Sequence, residues 1–146
     1  MSALGMVLLS SLGCTKAAKF AGTWILQQKA PMLQSGDCAD SGDPDSEVES
    51  TLGFIEIYGA DDGEIVVMTG EVLKGASDGN SFTATYDYVN PGSDTGGGWS
   101  ESEKVSASLE GKVLSGTYTA SQTWGDWTCT SELKFAAVRV EERDNI

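Results

Sequence analysis

Histidine is absent from all 146 positions of the chain. That absence removes the usual general base near neutral pH, the middle member of a Ser-His-Asp triad and the commonest zinc ligand. Basic residues are scarce as well: nine Lys and Arg face 22 Asp and Glu, giving a formal net charge of −13. Such a surface repels nucleic-acid phosphates, which argues against a nucleic-acid partner, and it opposes adhesion through anionic lipid headgroups. The same acidity keeps a soluble or tethered domain dispersed. No activated-nucleophile motif and no phosphate-cradling glycine loop is present. The chain is therefore read as a non-enzyme, with no metal and no cofactor.

A long hydrophobic run is also missing. Residues 3–13 are apolar or small, but a membrane-spanning helix needs about 20 such residues. The run instead has the length of a signal-peptide h-region, normally ~7–15 residues. No Lys or Arg precedes it. It ends in Ser11-Leu12-Gly13-Cys14, which resembles a bacterial lipobox, although Ser11 stands where that pattern favours leucine. The resemblance implies a signal peptide over 1–13, lipid attachment at Cys14, and a tether over 14–19. It also implies sorting to the outer membrane, on the periplasmic or the surface face, because Thr15 is not the aspartate that retains lipoproteins at the inner membrane.

Three cysteines are an odd number. Setting Cys14 aside for the lipid leaves Cys38 and Cys129, either a disulfide in an oxidising compartment or two buried thiols.

From residue 20 onward the pattern is β throughout, as one domain over 20–146. Strands are expected near 22–28, 47–58, 64–73, 80–89, 99–109, 112–120 and 127–140, with turns at Asp62-Gly63, Asp78-Gly79 and Gly111. Alternation assigns faces. Phe82, Ala84, Tyr86 and Tyr88 share one side of their strand, as do Val105, Ala107 and Leu109 of the next. Cys129, Leu133 and Phe135 share one side of the last. The fold class is all-β, a single antiparallel meander of about seven or eight strands. Seven are counted, whereas antiparallel closure needs an even number. A strand has been missed, the last run is two elements, or the sheet stays open.

The segment Gly22-Thr23-Trp24 at the head of the first strand resembles the Gly-x-Trp signature of lipocalins and related calycin barrels, which hold a ligand in their interior. The resemblance implies that Gly22, Trp24 and Arg139 close the barrel floor, the guanidinium over the indole, without touching a ligand. It also implies that the long connection 29–46 arches over the open mouth. First and last strands would then be neighbours, which brings Cys38 to Cys129.

Several clusters carry candidate chemistry. Asp37, Asp40, Asp43, Asp45 and Glu47 lack the spacing of an EF-hand calcium loop and read as a solvated acidic loop. Glu101 and Glu103 share the face of Val105; they are either a wet rim or a pair whose mutual repulsion suits acid–base work. Trp99, Trp124 and Trp127 lie beside turns, either plugging the core ends or facing a ligand. The residues assigned to ligand contact are Trp99, Trp124 and Trp127, with Tyr86 and Tyr88 lining the interior. Two functions remain: an envelope-anchored lipoprotein binding a small hydrophobic or amphipathic molecule, or a structural and protein-interaction lipoprotein with a filled barrel.

Overall fold

Among the described residues period-two alternation becomes ten β-segments, preceded by a 3₁₀ turn at Ala18–Phe20. They are β1 (Gly22–Lys29), β2 (Met32–Gly36), β3 (Asp45–Val48), β4 (Phe54–Gly59), β5 (Glu64–Met68), β6 (Val72–Asp78), β7 (Ser81–Asn90), β8 (Trp99–Glu110), β9 (Val113–Trp124) and β10 (Trp127–Arg139). The computed structural model describes residues 17–39, 45–59, 62–93 and 96–140. Cys14, Asp40 and Asp43 lie outside the described residues.

All pairings are antiparallel, and β10 pairs with β1, so the sheet closes. Eight staves form the wall, in the order β1-β4-β5-β6-β7-β8-β9-β10. The other two segments extend it. β1 and β2 run end to end along β10, from Trp24↔Arg139 through Lys29↔Phe135 to Gly36↔Cys129. They break at Ala30-Pro31 because proline has no N–H to give a ladder. β3 likewise continues β4 along the other edge of the same long strand, from Ser35↔Asp45 to Gly22↔Ile57.

Three expectations need correction. The run over 47–58 is not one strand but the end of β3 and most of β4, separated by residues 49–53. The run over 64–73 is two strands, β5 and β6, joined through Thr69, Gly70 and Glu71; this supplies the even count that closure needs. The connection over 29–46 is not a plain loop, since β2 within it pairs with β10 and forms a hairpin with β3.

The lower half of the barrel holds the buried core. Ile55, Ile57, Val67, Leu73, Val105 and Leu114 are buried in one cluster with Phe82 and Phe135. Each such side chain contributes roughly 1.5–3 kcal/mol relative to exposure. The 3₁₀ turn plugs the bottom: Phe20 is fully buried and meets Phe82 edge-on, centroids 5.1 Å apart. The Trp24 indole N–H donates to the Phe20 carbonyl at 2.7 Å. Arg139 lies 4.7 Å above the Trp24 ring and donates to the Lys19 carbonyl. Gly22, at φ 129°, sits beneath Arg139, whose Cδ is 3.2 Å from where a Cβ would stand. Gly59 is needed for contact too, since a Cβ there would collide with the Ala17 backbone.

Candidate functional site

Cross-strand register turns the sequence into layers of side chains on the inner face. The last mainly apolar layer runs Ala84–Val105–Tyr118–Leu133. Above it comes Tyr86–Glu103–Ala120–Ser131–Gln34, and then Tyr88–Glu101–Gln122–Cys129–Gly36. The top layer is Asn90–Trp99–Trp124–Trp127. In the middle layers Tyr86 and Tyr88 thus stand on the same face as the smaller Ala120, Ser131, Cys129 and Gly36, and above them the lining becomes aromatic on β8, β9 and β10.

The wall is incomplete at this height. β6 last pairs with β7 at Lys74↔Thr85, so from Tyr86 upward that edge of β7 has no neighbour among the described strands. β3 is likewise paired only to β2. Among the described strands this leaves a lateral opening in the ladder above the β5–β6 turn. A cleft of about 500 Å³ lies at its edge, reaching Met32, Leu52, Met68, Thr69 and Tyr118.

Glu103 anchors the base of this region. Its carboxylate accepts the Tyr118 hydroxyl at 2.6 Å and the Thr69 hydroxyl at 2.9 Å, tying β8 to β9 and to the β5–β6 turn. Burial, and then the Glu103 carboxylate, pushes the Tyr118 phenol well above its ordinary value. Tyr86 is pushed up as well, by desolvation and then by Glu71, Glu101 and Tyr88. After desolvation, nearby carboxylates are thus the main cause acting on both phenols.

Among the described residues, the lysines of the neighbouring strands point away from these carboxylates. Lys74, Lys104 and Lys134 pair in register with Thr85, Thr119 and Thr117 on the outer face. Lys29 is next to the opening, but its ammonium donates to the Ser50 carbonyl at 2.7 Å and the Leu52 carbonyl at 3.5 Å.

All five residues assigned to ligand contact fall on one face in three successive layers. Tyr88 and Trp99 have centroids 5.0 Å apart, tilted by 43°. Trp99 and Trp124 stack at 5.3 Å. Tyr88 is 42% exposed, Trp124 53% and Trp127 38%. Tyr86 is half-buried against the core. Cys38 and Cys129 form a disulfide that pins the β2–β3 turn to the start of β10, where Asp37 also accepts the Thr128 amide at 2.6 Å. Thr69, Glu71, Tyr118 and Gln34 were not singled out from sequence. Tyr118 was legible, being in phase with Leu114 on its strand; Thr69 and Glu71 were hidden inside an apparent strand. Among the described residues no group of three or more His, Cys, Asp or Glu is placed to hold a metal ion.

The eight-stave closed antiparallel barrel is compatible with the lipocalin-like architecture that Gly22-Thr23-Trp24 resembles. Compared with protein-family models, with curated proteins and with solved structures, the chain matches none.

Proposed function

We propose that this chain is an exported, lipid-anchored binding protein that holds a small hydrophobic or amphipathic molecule in the upper half of its barrel. The observation that carries the reading is the Tyr88–Trp99–Trp124 ladder, apolar surface left exposed on an inner face. Covering aromatic area contributes roughly 25 cal/mol per Å², so a ligand gains by lying there. The buried apolar cluster of the lower half supports a site in the layers above Tyr118.

The anchor belongs to the same reading. Ala17 is buried at the closed end, against Gly59. Three residue steps from Cys14 to Ala17 span at most about 11 Å. An acyl chain on Cys14 would keep the closed end near the bilayer and turn the open end away from it.

The test is a mass spectrum of the full-length protein purified from a Gram-negative host, taken native and then denatured. Loss of residues 1–13 with an added acyl mass supports the anchor. A small-molecule mass seen natively and lost on denaturation supports the binding role. An acylated but empty protein points to the structural alternative, and an uncleaved, unacylated chain refutes export.

A further inference from the structure

We infer that the ligand is a cation, an amine or quaternary ammonium on an apolar body, with its charge between Glu71 and Glu101 and its body against Trp99 and Trp124. This rests on reading the upper barrel as a binding site, and it adds the ligand's chemical class.

Three observations carry it. The first is an unequal use of carboxylates. Glu103 is satisfied by two hydroxyl donors, Tyr118 and Thr69. Among the described residues Glu71 and Glu101 have no such pair of donors: Glu101 lies on β8 one layer above Tyr86, and Glu71 ends the β5–β6 turn two residues before the buried Leu73. Charged groups near a half-enclosed site gain most from a partner of opposite sign.

The second is the missing counter-charge. Among the described residues no Lys or Arg pairs with Glu71 or Glu101, and the nearest inward ammonium, on Lys29, is engaged by two backbone carbonyls. An anionic amphiphile entering here would meet carboxylates and no cation, which opposes fatty-acid-like ligands.

The third is the aromatic lining. Glu101 is the cross-strand partner of Tyr88, one layer below Trp99 and Trp124. Indole and phenol faces attract ammonium groups through their quadrupole, most strongly where water is excluded. Aromatic faces beside carboxylates thus favour a cation over a neutral body of the same size.

The experiment compares three probes with the same alkyl chain: octyltrimethylammonium, octyl glucoside and octanoate. Each is titrated into the disulfide-bonded protein below its micelle concentration and followed by calorimetry and tryptophan emission. The inference expects the ammonium probe to bind at least about tenfold more tightly than either of the others. The double variant Glu71→Gln/Glu101→Gln should bring it down to the affinity of the glucoside. Glu64→Gln/Glu110→Gln makes the same change in net charge at exposed positions away from the mouth and should keep the preference. Should the first double variant fail to fold by circular dichroism, Glu101→Gln alone carries the test. Equal binding of the three probes, tighter binding of octanoate or of the glucoside, or an unchanged preference in the folded Gln variant overturns the charge assignment and leaves the binding role intact. Failure of every probe to bind overturns both.

Discussion

Trp99 and Trp124 stand directly opposite each other on β8 and β9, ring centroids 5.3 Å apart and planes 11° from parallel. An aromatic pair in this offset-stacked range contributes about 0.5–1.5 kcal/mol beyond its buried area. Two indoles so close also couple electronically. The far-ultraviolet circular dichroism should show an exciton couplet that vanishes in Trp99→Leu and in Trp124→Leu and persists in Trp127→Leu. A couplet that survives both of the first two substitutions rules out the stack.

Glu103 ties two strands and a turn together, so its replacement separates charge from hydrogen bonding. Glu103→Ala leaves the half-buried Tyr118 hydroxyl without its acceptor and should cost about 1–3 kcal/mol in urea unfolding. Glu103→Gln keeps an acceptor for Tyr118 and a donor toward Thr69, and should cost clearly less. Equal losses in the two variants would mean that the carboxylate's charge, not its hydrogen bonds, does the tethering.

The disulfide between Cys38 and Cys129 closes a loop with a sequence separation of 91. Restricting the unfolded chain over so long a loop stabilises by roughly 2–5 kcal/mol. Cys38→Ser/Cys129→Ser should lower the melting temperature and raise amide exchange first in β2 and β3, which are held to the barrel through β10 alone. Because β1 and β4 pair independently of this hairpin, the lower core should stay protected.

Raised phenol values make stability fall on the alkaline side. The unfolded chain releases a Tyr118 or Tyr86 proton near the ordinary phenol value of 10.0, while the folded chain retains it. Above that pH the unfolded state binds fewer protons, so unfolding free energy decreases as pH rises. The contribution is fully present below about pH 10 and is lost as pH climbs through the folded values. Tyr118→Phe should flatten this alkaline limb in pH-dependent urea titrations. An unchanged slope would show that Tyr118 ionises as freely in the barrel as in the unfolded chain.

How much of this was legible depends on distance along the chain. Alternation set the faces of β7, β8 and β10 correctly because period two is a local property of each strand. It put Glu101 and Glu103 in phase with Val105, inside the barrel wall. The strand count failed at Thr69-Gly70-Glu71, where a tight turn interrupts an otherwise apolar run without the Asp-Gly signal of its neighbours. The segment 32–36 reads as polar loop, yet it becomes strand because β10 is long enough to offer it a ladder beyond β1. No local pattern contains that information. The bond between Thr69 and Glu103, 34 residues apart, depends on closure of the whole barrel.

The central claim is that the aromatic upper half of the barrel is a binding site. It is tested most directly by titrating the disulfide-bonded protein with N-phenyl-1-naphthylamine and exciting tryptophan. The account predicts saturable quenching with sensitised probe emission, one probe per chain, lost in Trp99→Leu/Trp124→Leu while Trp24 and Trp127 remain as donors. Unsaturable transfer, or equal saturable transfer in the double variant, would contradict it.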